Sequence, residues 1–211
     1  MALPVTPAYD VCIVLANRTA MPHSRSQDTP EKGRRLVEAA MAVLWAVPDH
    51  TLNITVLNKA LFYLDLVWLR DHGKTVTGQT YVAVAQGPVV AKYEQRLVER
   101  LERDGLAKQE ARGMAKPVVA LKRPDPTKVF PAQEAAELVA KVFSRKSSKK
   151  ASDYSHENPG WKIAFRDGRP TPIDMEIALQ QICNDDAWLD QPADEHLKGE
   201  FRSAAKNAVD F

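Results

Sequence analysis

Lys59, His156 and Glu157 are the residues of this chain best suited to moving a proton or attacking a carbonyl. With Asp153 close by, His156 and Glu157 form a short acidic segment around an imidazole, a grouping that can act as general acid and base. A hydrolase or nucleotide-handling enzyme built on this chain would use these three residues. No serine or cysteine in a known nucleophile motif accompanies them, and the other four histidines are scattered rather than set at metal-ligand spacing. The sequence therefore assigns no catalytic residue, no metal site and no cofactor. The simpler reading is structural: Ser152 or Asp153 caps a short helix, Glu157 decorates it, and His156 bonds to backbone or faces a partner.

Lys59 lies in the stretch Val56–Leu69, whose only other polar residues are Asn58 and Asp65. A buried charge must find a partner. Asp65 is six residues on, outside the three- or four-residue spacing of good helical pairs. Lys59 is therefore expected at the helix edge, with its stem buried and its amine in water. Gly87-Pro88 reads as a strand-to-helix turn, since Gly permits a sharp turn and Pro presets the first helical residue. A helix starting there could receive an anion or a partner's carboxylate. Trp161, beside Pro159-Gly160, is expected to be partly exposed, and exposed tryptophans often anchor interfaces. The basic run Arg145, Lys146, Lys149 and Lys150 reads as a solvated joint. It has no interleaved aromatics and no helix-turn-helix pattern before it, so DNA binding is not expected.

Periodicity supplies the elements that must position these residues. Glu31–Val47 repeats apolar residues at helical spacing and stops at Pro48. Thr51–His72 is a helix apolar almost all round, which belongs at the centre of a domain, and Gly73 ends it. Tyr81–Val84 favours a strand, followed by a helix over about Val89–Asp104. Leu106–Gln109 and Val118–Lys122 read as a small hairpin, Pro131–Arg145 and Ile173–Asn184 as helices, and Pro170 with Pro172 as brackets of a turn. A short element is expected near Asp10–Asn17 and a last helix near Asp194–Val209. The fold class is a mainly helical α+β single domain around a buried central helix, with a small antiparallel sheet or hairpin.

The chain has 211 residues, of which 45% are hydrophobic, enough for one domain with a real core. Its 29 basic and 27 acidic residues leave a net charge of only +2, without the positive excess of a nucleic-acid-coating protein. The two cysteines, Cys12 and Cys183, lack the CxxC or His-rich setting of a zinc site. No stretch has the length of a membrane span, and the start lacks the basic region of a secretory signal, so a cytoplasmic location is expected.

Three segments, in this order, resemble the Panacea domain of SocA-like antitoxins. LNKALFYLDLVWL (Leu57–Leu69) is similar to that family's buried helix, through Lys59, Leu61, Phe62 and Tyr63. YVAVAQGPVVAKYEQRL (Tyr81–Leu97) matches its strand, Gly-Pro-Val and following helix with an early tyrosine, through Gly87, Pro88, Val89 and Tyr93. SHENPGWK (Ser155–Lys162) carries the family's His and later Trp, as His156 and Trp161. The resemblance spans residues 34–185, leaving an N-terminal arm (1–33) and a C-terminal helical tail (186–211) without a match. It implies an antitoxin that neutralises a cognate protein toxin by direct binding, or an adaptor that delivers the toxin to an AAA+ protease. The expected partner-binding residues are Lys59, Gly87, Pro88, Tyr93, His156, Glu157 and Trp161. A deep pocket uniting Lys59 with His156 would favour an enzyme, and an open, partly apolar groove would favour a binder.

Overall fold

The computed structural model describes residues 29–125 and 130–188. The elements expected near Asp10–Asn17 and Asp194–Val209 lie outside them.

Helix α1 (Pro30–Ala46) opens with proline at its first position, where no backbone donor is needed, and the Thr29 side chain accepts from the Lys32 N–H. Its periodic residues Leu36, Ala39, Ala40, Val43 and Leu44 are all buried, as the spacing predicts. Strand β1 (Thr51–Asn53) comes next, so the central helix α2 starts at Ile54 and not at Thr51. Asn53 explains the boundary, because its side chain accepts from the Thr55 N–H at 3.0 Å and caps α2 (Ile54–His72). Gly73 closes α2 at φ 67°, a backbone angle that favours glycine.

Helix α2 is the axis of the fold. Leu57, Leu61, Phe62, Tyr63, Leu64 and Leu66 are fully buried. Around it pack α1, α4 (Gln133–Phe143), α5 (Ser148–His156) and α7 (Met175–Cys183). Tyr63 stacks on Trp188 with ring centroids 5.0 Å apart, which brings residue 188 into the core. Leu61→Ala should lower stability by about 3 kcal/mol, the usual loss on emptying a core leucine site. An unchanged urea midpoint for that variant would remove α2 from the centre of the core.

Asp65 answers the polar stripe of α2 without a cation. Its carboxylate accepts from the Thr77 N–H at 2.8 Å, from the Thr77 hydroxyl, and from the Tyr81 hydroxyl at 2.8 Å. Burial pushes its carboxyl pKa above the usual carboxylate range, and these donors partly offset that shift.

Two small antiparallel sheets flank the helices. One has the order β1-β5-β4, with β4 (Ala107–Gln109) and β5 (Pro117–Ala120) forming the expected hairpin. The other has the order β3-β2-β6, built from β2 (Tyr81–Val84), β3 (Gly87–Val90) and β6 (Thr171–Pro172). The sequence reading needs correcting twice here. Val89 and Val90 do not begin a helix. They pair with Val82 and Tyr81 across the two-residue turn Ala85-Gln86, and the helical segment starts only with the π-helical turn Glu94–Val98, followed by α3 (Glu99–Arg103). Two-residue turns favour hairpins, and β-branched valines suit strands, so tertiary pairing overrides the proline's helix-start signal. Likewise Pro172 stands in β6, an edge strand that tolerates a missing donor, rather than bracketing a turn.

Candidate functional site

The hairpin turn between β2 and β3 is held by side chains from three helices, each donating to its backbone. Lys59 Nζ of α2 donates to the Pro88 carbonyl at 3.0 Å. Ser152 Oγ of α5 donates to the Gln86 carbonyl at 2.9 Å. Trp161 Nε1, on the short helix α6 (Pro159–Ala164), donates to the Val84 carbonyl at 3.0 Å. His156, at the end of α5, lies beside the turn residue Ala85. Asn58 completes the seam by accepting from the Val90 N–H at 3.1 Å. Buried backbone groups need partners, and a proline in β3 leaves fewer ladder bonds to supply them.

Gly87 makes the close approach possible. Its φ is 99°, and an added Cβ would lie 2.3 Å from Ser155 Oγ and 2.7 Å from Lys59 Cε. The glycine is there so that β3 can lie directly on α2 and α5.

The electrostatics of the joint follow from burial. The Lys59 amine is lowered to about 7 because desolvation disfavours its charged form. His156 is also lowered, first by burial and then by the Lys59 charge. Its ring stacks on Trp161 with centroids 4.2 Å apart, and Trp161 stacks in turn on Phe165 at 5.1 Å. The His156 Nε2 atom is buried without a partner.

Beside this joint an open cleft of about 400 Å³ lies between the N-terminus of α2, the β2–β3 hairpin and the β4–β5 loop. Asn58 and Lys59 line it from α2, Val89 and Tyr93 from the hairpin side, and Met114 and Lys116 from the loop. Met114 is fully exposed. Burial and the neighbouring Glu94 raise the Tyr93 hydroxyl above its usual value.

All three segments singled out in the sequence therefore meet at one place. The seven expected partner-binding residues divide into two groups there. Lys59, Gly87 and Pro88 are buried, whereas Tyr93, His156 and Trp161 are half-buried and Glu157 is exposed. Lys59 does not reach water from the helix edge as expected, because the Pro88 carbonyl satisfies its amine inside the fold. Gly87-Pro88 does not begin a helix, so the anion site expected at a helix start there is absent. Neither Ser152 nor Asp153 caps a helix. Ser147 caps α5 by accepting from the Lys150 N–H at 3.2 Å, so part of the basic joint is helical. Asn158 caps α6 by accepting from the Trp161 N–H at 3.2 Å. Glu157 turns outward to pair with Lys162 at 2.7 Å. The cleft reaches Lys59 but neither His156 nor Glu157.

Sequence reasoning missed Asn58, Ser152 and Ser155 as members of the joint, and Met114 and Lys116 as cleft residues. An apolar Met114 directly after Gly113, at a hairpin tip, was the one available signal for the cleft. Among the described residues no group of His, Cys, Asp and Glu could hold a metal ion, and no helix is long and apolar enough to cross a membrane.

Residues 57–162 match the family model described as antitoxin SocA-like, Panacea domain. The match opens on the first residue of the Leu57–Leu69 segment and closes on the last of Ser155–Lys162, so it spans all three segments that meet at the joint. No curated protein and no solved structure matches the chain. The family match covers half of the sequence, and the chain belongs to the SocA-like antitoxins of the Panacea domain family.

Proposed function

We propose that this chain neutralises a cognate toxin in the cytoplasm by forming a stoichiometric complex with it. The observation that carries this reading is the shape of the cleft. It is open, carries an exposed methionine at its rim, and takes in Lys59 without His156 or Glu157. An open surface that mixes apolar side chains with polar ones suits a protein partner. In this reading Lys59, Gly87 and Pro88 act from inside by fixing the hairpin, and Tyr93, His156, Glu157 and Trp161 offer the accessible surface.

The test is titration calorimetry of the purified chain against the product of the adjacent gene, with cell protection measured in parallel. Trp161→Ala should weaken the complex by about 2 kcal/mol or more, the scale of an interface anchor. Because the indole also holds the Val84 carbonyl, Trp161→Phe is the comparison: it keeps a smaller ring against His156 and Phe165 and removes the N–H. Thermal melts of both variants separate a lost anchor from a loosened fold. A wild type that protects cells without any detectable complex would overturn neutralisation by binding. Protection that vanishes when the host's AAA+ proteases are deleted would point instead to delivery of the toxin for degradation.

A further inference from the structure

The cleft has a charge pattern that selects among occupants. Its lining includes two basic residues, Lys59 and Lys116, and no aspartate or glutamate. Lys59 is buried at the floor with one amine proton committed to the Pro88 carbonyl, and Lys116 is exposed at the mouth. The nearest acid by sequence, Glu94, lies outside the lining. Around these lysines stand the apolar surfaces of Val89, Met114 and the Tyr93 ring. The Lys116 charge at the mouth, set between apolar walls and unopposed by any acid of the lining, repels a basic segment and leaves a purely apolar one facing unpaired charge. It complements a segment that presents a carboxylate next to an apolar side chain.

Resting on the antitoxin reading above, we propose that the cleft binds an acidic–apolar peptide segment of the toxin, with an Asp or Glu carboxylate paired to Lys116 over the buried Lys59. The adjacent apolar side chain of the segment lies against Met114, Val89 and Tyr93. Met114 explains its own exposure in this arrangement, since a fully exposed large apolar residue on a hairpin tip is otherwise an unshielded surface. The same arrangement accounts for Gly87 and the carbonyl clamps, which hold the hairpin wall of the cleft at a fixed distance from α2.

The experiment is selection from a displayed library of random dodecapeptides on the full-length protein, followed by fluorescence-anisotropy titration of the selected peptides. Expected winners carry Asp or Glu next to Leu, Ile, Met or Phe. Charge reversal at the mouth, Lys116→Glu, should weaken them by about tenfold or more, and Met114→Glu should do the same. Both residues are exposed, so their loss should leave the melting temperature unchanged. Lys141→Glu, an exposed lysine on α4 away from the cleft, is the control and should bind as the wild type does. Winners without acidic residues, no winners at all, or acidic winners that bind Lys116→Glu and Met114→Glu as well as wild type would each overturn the proposal. The same two variants are then titrated against the adjacent-gene product. A toxin complex that forms normally with both variants sinks the cleft assignment and leaves neutralisation by binding intact. A wild type that captures acidic peptides but no toxin has the reverse meaning.

Discussion

Replacing Lys59 with methionine should stabilise the protein relative to wild type at neutral pH and lose that advantage as pH rises. The amine titrates at about 7 in the folded chain because it is buried. In the unfolded chain it titrates near 10.4. Between those values the unfolded state holds more protons than the folded one, so the wild-type contribution to stability rises with pH through this window. Below pH 7 both states are protonated and the burial penalty is fully present. Methionine keeps the apolar stem and carries no charge, so it has no such dependence. The stability gap should therefore move by about 3–4 kcal/mol in the variant's favour between pH 10 and pH 7. The variant also leaves the Pro88 carbonyl without its donor, a cost of about 1–3 kcal/mol that is nearly independent of pH. The two profiles should thus cross, with wild type the more stable at pH 10. Urea denaturation at several pH values reads this directly. Parallel profiles would show that the Lys59 amine titrates as it would in water, against its burial.

The second large effect is expected at Gly87. Alanine there must adopt a φ of 99° and set its Cβ against Ser155 Oγ and the Lys59 stem. Strain at such a backbone angle and overpacking each cost about 1–3 kcal/mol, so Gly87→Ala should lose about 3–5 kcal/mol in all. Part of the loss is a clash with one named hydroxyl. Ser155→Ala, nearly neutral alone, should therefore restore about 1 kcal/mol in the Gly87→Ala background, a coupling that a double-mutant cycle measures. Strict additivity of the two changes would show that the hairpin moves away from α5 instead of pressing on it.

How much of this was legible in advance depended on the range of the interaction. Helix α1, the burial of α2, its Gly73 stop and the β4–β5 hairpin all follow from local patterns: apolar spacing, a left-handed glycine, valines between turn residues. Lys59 was misread because its partner is a backbone carbonyl 29 residues away, and a carbonyl leaves no trace in residue type. The Val89–Asp104 helix failed because Pro88 suits both a first helical turn and an edge strand, and only the facing strand β2 decides between them. The cap of α5 was placed at Ser152 or Asp153, where residues of capping type also occur, although Ser147 does the capping. That Lys59, Gly87-Pro88, His156 and Trp161 belong together was legible in the sequence, while their inward or outward placement was not. Met114 and Lys116 enter the cleft from a loop whose position is set by sheet pairing, which residue spacing does not encode.

The clamps on the β2–β3 turn also set an order of events during synthesis. They bridge 29 residues from Lys59 to Pro88, 66 from Gln86 to Ser152 and 77 from Val84 to Trp161. A ribosome adding about 5–20 residues per second exposes the hairpin several seconds before it exposes the donors of α5 and α6. During that interval the Val84 and Gln86 carbonyls lack their side-chain donors, and the hairpin wall of the cleft is not yet fixed. A nascent chain truncated before residue 161 should therefore be translated, partly collapsed and inert. The hairpin wall of the cleft is fixed only after residue 161 has left the ribosome.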